Sequence, residues 1–185
     1  MNGTVTFTQM SDGTGEDYAL LSVYEAEELS RFPDRVLDWL RSMDDHTGYQ
    51  ITRLGHSLQA ATRAHRAGES EEMVVAVLLH DVGDVLSPAN HSEVAAAMLR
   101  PYVSEDTYWI IKHHGLFQEK YYAHHYGRDP DARDIHRDHP LYQRTVAFCE
   151  DYDQVSFDPD YPTESLEFFE PMVRRLLAAP RTPVT

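Results

Sequence analysis

Cys149 is the only cysteine in the chain, so no internal disulfide can form and a reducing compartment is expected. Basic residues are scarce too: 16 Lys and Arg stand against 31 Asp and Glu, a formal charge of −15. Nucleic acid and anionic membrane surfaces would be repelled by such a chain, and neither is expected as a partner. A small anionic substrate stays open, because bound metal cations reverse the local field. Long apolar runs are missing, and the longest, Met73–Leu79, is far too short to span a bilayer. The opening MNGTVTFTQMSDGTGED has neither a basic start nor an apolar core, so no signal peptide is expected and the cytoplasm is the expected location. Period-two alternation is rare and no convincing hairpin pattern occurs, which argues against a sheet. At 185 residues the chain can build one full core around a polar site.

What is present reads as helix. Residues 1–17 are polar with Thr and Gly punctuation, and are expected to form a flexible arm; from Tyr18 onward the patterns are helical. Ile51, Leu54, Leu58 and Ala61 recur at helical spacing, and Gly68 follows as a stop. Ser70 suits the cap of the next helix, with Glu71 and Glu72 in its first turn. Asn90 and Glu93 have the spacing of a capping box opening a helix over Ser92–Arg100, which Pro101 ends. Ser104 starts another helix running to about His114. Asp138–Asp151 and Thr163–Ala178 complete the set, with a break or kink expected at Pro171. Residues 115–138 are aromatic, charged and poor in aliphatics, the composition of a functional or disordered stretch. The expected fold is all-α.

The chemistry lies in a series of histidines and aspartates. His80-Asp81 ends the apolar run, so both are expected to be deep, and a deep carboxylate demands a partner. His56 belongs to the preceding helix, and His91 to the first turn of a later one, where the positive helix end keeps imidazole neutral and able to ligate. Of the neighbours His113 and His114, the second shares the buried face of Ile110 and Ile111. Asp151 and Asp153 compete for the last place. A single histidine on an apolar face is more often a hydrogen-bonded core residue than a ligand; the whole series supplies enough donors for two metal ions. Imidazole and carboxylate without thiolate argue against structural zinc and suit oxygen-activating iron, while manganese and catalytic zinc remain open.

This H…HD…D order on helices resembles the HD-domain superfamily over roughly residues 44–178. Several segments resemble the branch of mixed-valent diiron oxygenases that cleave carbon–phosphorus bonds of 1-hydroxyphosphonates. These are Gly48-Tyr49-Gln50-Ile51-Thr52 before His56, His91-Ser92-Glu93-Val94-Ala95, Ile111-Lys112-His113-His114 and Glu150-Asp151-Tyr152-Asp153. The resemblance implies a helical bundle, a single HD domain over 18–185, and Asp153 rather than Asp151 as ligand. It implies that His56, His80 and Asp153 hold one iron, His91 and His114 the other, with Asp81 bridging. Asp81, His91 and His114 would then be catalytic, the ions mixed-valent Fe2+/Fe3+, and O2 a co-substrate. The implied partner is a small anionic or zwitterionic phosphonate, its 1-hydroxyl and one phosphonate oxygen bound at the ferric ion.

Departures from that branch bear on the substrate. Relatives cleaving a primary-amine phosphonate carry Tyr and Glu ten and seven residues before the first ligand; here those positions are His46 and Tyr49. An aromatic ring in place of a carboxylate suits a quaternary ammonium, such as that of 1-hydroxy-2-(trimethylammonio)ethylphosphonate, whose oxidation gives glycine betaine and phosphate. The phosphonate-binding Lys of those relatives corresponds to Gln118, and a His four residues after the HD pair corresponds to Asp84. The anion must be held differently, with Lys112, Lys120, Arg133, Arg137, His139 and Arg144 as candidates. The competing expectations are an HD-type phosphohydrolase acting on a nucleotide or small phosphate ester, and a degenerate HD domain serving as a binding module.

Overall fold

Met73–Leu79 is buried at every position and forms the middle of the molecule. The computed structural model describes residues 3–181. Its helices are α1 (Gly15–Ser30), α2 (Phe32–Ser42), α3 (Arg53–Arg66), α4 (Glu71–Leu79), α5 (His91–Leu99), α6 (Glu105–Gln118), α7 (Tyr142–Phe148) and α8 (Leu166–Leu176). No strand occurs among the described residues, so the architecture is the expected all-α bundle. The apolar run is α4 itself. A helix apolar on all sides must be surrounded, and α4 packs against α3, α6 and α8. Each large apolar side chain buried there contributes roughly 1.5–3 kcal/mol. No helix among the described residues is long and apolar enough to cross a membrane.

Caps set most of the starts. The Ser70 hydroxyl accepts from Met73 N at 3.2 Å and the Ser104 hydroxyl from Thr107 N at 3.2 Å, each supplying an acceptor for an otherwise unpaired helix donor. Helix α1 begins at Gly15, before Tyr18, because Thr14 and Asp17 form a reciprocal capping box. Asp17 also accepts from Thr6 N at 2.8 Å, tying residue 6 to the helix start.

Other boundaries differ from the sequence reading. The capping box at Asn90 does not form: the Asn90 side chain accepts from the Ser87 hydroxyl instead, and α5 begins at His91. Helix α6 runs on to Gln118, one turn past His114. Helix α7 is shorter than Asp138–Asp151 and continues as a single π turn over Cys149–Asp153, marked by Gln154 N donating to Cys149 O at 2.9 Å. Pro171 lies inside α8 without ending it. Its ring is exposed, so the Glu167 carbonyl that loses a donor faces the solvent side. Between α6 and α7 the aromatic tract folds into short 3₁₀ turns, Glu119–Tyr121, Ala123–Tyr126 and Ala132–His136.

Candidate metal centre

Six side chains converge from five places in the bundle. His56 lies in the first turn of α3, whose start is capped by the Thr52 hydroxyl accepting from Gly55 N at 3.0 Å. His80 and Asp81 follow the end of α4, His91 opens α5, His114 sits on α6, and Asp153 ends the π turn. A π turn widens the helix by one residue per turn and recurs at functional sites, and here it delivers Asp153 to the cluster. Asp151, the competing position, is exposed, and His113 stacks on Trp109 away from the cluster at 4.1 Å.

Asp81 is central. Its Oδ2 lies 3.5 Å from His56 Nε2 and 3.4 Å from His80 Nε2, while its Oδ1 lies 3.3 Å from both His91 Nε2 and His114 Nε2. Asp153 Oδ1 completes the first group at 3.4 Å from His56 Nε2 and 3.7 Å from His80 Nε2. First-row ions hold nitrogen and oxygen ligands at ~2.0–2.2 Å, which sets neighbouring ligand atoms ~3.0–3.5 Å apart. The spacings therefore fit ligation at two positions sharing one carboxylate.

Tautomers agree with this. The Nδ1–H groups of His56, His80 and His114 donate to the carbonyls of Ser156, Val77 and Ile111 at 3.0, 2.7 and 2.7 Å. His91 Nδ1 faces the Pro88 carbonyl at 3.4 Å. A carbonyl only accepts, so each Nδ1 carries a proton, which leaves Nε2, the nitrogen turned toward Asp81, to offer its lone pair to an ion. His56 Nε2 and His80 Nε2 stand 3.2 Å apart, a distance at which only a shared proton or a metal ion keeps them from opposing lone pairs. Among the described residues neither Asp81 nor Asp153 has a Lys or Arg partner. A cation is required here, and the donor set fits a metal ion: three overlapping His/Asp groups each bring their ligand atoms within 4.8 Å of one another.

The same demand appears as proton affinity when no metal is bound. Burial would push the His80 imidazolium down, but Asp81 and Asp153 outweigh it and raise it to about 9. Between the ordinary imidazole value of 6.5 and about 9, the metal-free fold binds more protons than the unfolded chain. Its stability from this group is complete below that window and is lost as pH rises through it. A bound ion replaces the proton. The expected result is that the thermal stabilisation given by metal over chelator-treated protein grows from pH 6.5 to pH 9, and that loading at neutral pH releases protons.

A cavity of about 610 Å³ opens onto the cluster. Tyr49, Asp84 and Gln118 line it, as the sequence placed them. Gln118 Nε2 donates to Asp153 Oδ1 at 3.0 Å, and its buried Oε1 has no partner among the described residues. Arg137 and His139 do not reach it. Arg137 is held at the surface by Asp134, three residues away, and His139 stacks flat on Trp109 at 4.0 Å on the outer side of α6. Lys112, Lys120, Arg133 and Arg144 are likewise absent from the lining. The cations that do line the cavity are Arg53 and Arg128. Arg53 precedes His56 by one helical turn, the single sequence signal that placed it on this side.

Beyond Tyr49, the aromatic rim escaped the sequence reading. Tyr49 packs against Phe157 at 4.9 Å, and Phe157 stacks on His56 at 4.4 Å. Tyr121, Tyr122 and Tyr126 line the cavity from the 3₁₀ turns after α6. Burial pushes the Tyr122 phenol up, with Glu119, Asp153 and Tyr49 near enough to add to the shift.

No curated protein matches the chain. The HD domain family model matches residues 53–148, a span that holds five of the six converging residues and ends five residues before Asp153. With half of its length so matched and its His/Asp pair at the end of α4, the chain belongs to the HD-domain family, and the cluster marks it as a metal-dependent enzyme.

Proposed function

We propose that this chain is a diiron oxygenase that cleaves the carbon–phosphorus bond of a 1-hydroxyphosphonate. The preferred substrate is 1-hydroxy-2-(trimethylammonio)ethylphosphonate. One O2 converts it to glycine betaine and phosphate, the carbon leaving at the carboxylate level and the phosphorus as phosphate, with no external reductant. The observation carrying this reading is Asp81, whose two oxygens each face a separate pair of histidines. A pair of iron ions, when bound, supplies the electrophile for substrate oxygens and the redox equivalents for dioxygen. His56, His80 and Asp153 would hold one ion, and His91 and His114 the other.

The chain's own residues position the substrate. Gln118 fixes Asp153 with its amide N–H and leaves Oε1 as an acceptor beside the first ion position. Arg53 and Arg128 are the guanidinium groups that an anionic head would meet in the cavity, the first also paired with Asp45 and Asp84 and the second with Glu119. Tyr49, Phe157 and Tyr122 offer ring faces to a trimethylammonium group, which has no N–H to donate and gains about 0.5–2 kcal/mol from such a face. Tyr49→Glu is expected to shift the preference from the trimethylated toward the primary-amine phosphonate by roughly 2–30-fold, as the ratio of kcat/KM values. An unchanged ratio would remove Tyr49 from the cation site.

The direct experiment loads the protein with ferrous iron and follows oxygen uptake and phosphate together on this substrate. Equal rises are expected. No oxygen uptake and no phosphate on this substrate, with phosphate released from a nucleotide or small phosphate ester instead, would make the chain a phosphohydrolase using the same ligands.

A further inference from the structure

The two ion positions are not built alike. Position one has His56, His80, Asp153 and one oxygen of Asp81, with the three side chains other than Asp81 at most 5% exposed. Position two has only His91, His114 and the other oxygen of Asp81, and the His91 side chain is 29% exposed. His91 also has the longest of the imidazole-to-carbonyl contacts, 3.4 Å against 2.7–3.0 Å for the others. What it has in addition is Asp84. Asp84 Oδ1 lies 3.5 Å from His91 Nδ1, and Asp84 Oδ2 lies 3.5 Å from Arg53 Nη1. Arg53 is in turn anchored by Nε and Nη2 on Asp45, each at 3.2 Å. The Asp84 backbone is held as well, its N–H donating to Asp81 O at 2.9 Å.

We propose that Asp84 is the positioning residue of the second metal position: its carboxylate, braced by Arg53, orients His91 and sets the affinity of that position alone. A carboxylate on the far nitrogen of a ligating imidazole fixes the ring and makes it a stronger donor, and removing such a partner costs typically 10–100-fold in metal affinity. The other three ligating histidines have short carbonyl bonds and do not need this help. Two bound ions are presupposed, as under the function proposed above. The ions therefore load in order, the enclosed position first.

The test titrates metal-free full-length protein with ferrous iron under anaerobic conditions, by calorimetry and equilibrium dialysis. Wild type is expected to bind two ions in two steps of unequal affinity. His91→Ala identifies the second step by deleting it. Asp84→Asn, which keeps the side chain's shape, is expected to leave the first step unchanged and weaken the second by about 10–100-fold. Weakening of both steps alike, or of neither, would overturn the proposal. So would a wild-type titration showing two equivalent ions, a result that needs no variant to fold. Iron counting uses neither oxygen nor phosphonate. Two stepwise ions without phosphonate cleavage would sink the oxygenase and leave the role of Asp84 standing; phosphonate cleavage with unaltered second-step binding in Asp84→Asn would do the reverse.

Discussion

Replacing Asp81 by Ala is expected to eliminate the second ion, weaken the first by more than about 100-fold, and bring turnover to background. The magnitude follows from geometry. One carboxylate stands 3.3–3.5 Å from four imidazole nitrogens that come from α3, the end of α4, α5 and α6. Without it the second position has two neutral histidines and no anionic ligand, while the first keeps only Asp153. Partners that merely touch a ligand are worth 10–100-fold in affinity, so a shared ligand sets a floor above that range. Asp153→Ala is the informative contrast. Of the four imidazoles its Oδ1 faces only those of His56 and His80, so the first ion is expected to weaken and the second to stay. Iron per chain after gel filtration reads both variants, and two tightly held ions in Asp81→Ala would rule out the bridge.

Gly83→Ala is expected to destabilise the fold by about 3 kcal/mol and to displace His91 from the cluster. Gly83 lies in the 3₁₀ turn Val82–Val85, directly after the His80-Asp81 pair. A Cβ there would meet His91 O at 2.1 Å, His91 C at 2.8 Å and His91 Cα at 2.9 Å. Those are backbone atoms at the first residue of α5, and no rotamer change relieves them. The start of α5 must move, and it carries His91. Gly115 makes the comparison. A Cβ at Gly115 would approach the Ser92 hydroxyl at 2.6 Å, but a serine side chain can rotate aside. Gly115→Ala is therefore expected to cost less and to keep both ions. Denaturant midpoints with iron counts on the two variants test this; equal midpoints would show that the close packing of Gly83 on His91 does not govern the second position.

The convergence of the six side chains was legible in the sequence because burial and helical phase both constrain them. A carboxylate closing an apolar helix must have a partner, and Asp81 has four imidazoles around it. The phase relation to Ile110 and Ile111 put His114 rather than His113 on the buried face, where its ring meets Asp81. Asp153 was placed mainly by resemblance, since a π turn breaks the helical phase that would have located it. Tyr49, Asp84 and Gln118 were found through their positions relative to ligands. The rest of the cavity was not legible. Tyr121, Tyr122, Tyr126 and Arg128 belong to short turns in a charged tract without periodicity, so only tertiary packing decides which of them face inward. Arg137 and His139 come from the same kind of segment and face away, one drawn off by Asp134 and the other by the Trp109 ring. The helix ends that moved did so for local reasons: a hydroxyl competed for Asn90, and a solvent-facing proline did not break α8.

The decisive measurement is the number of irons bound per chain together with their magnetic coupling, read by Mössbauer and electron paramagnetic resonance spectroscopy on one iron-loaded sample. Two irons per chain, exchange-coupled through a shared ligand, are expected. One iron per chain, or two irons that behave as isolated ions, would contradict a dinuclear centre bridged by Asp81.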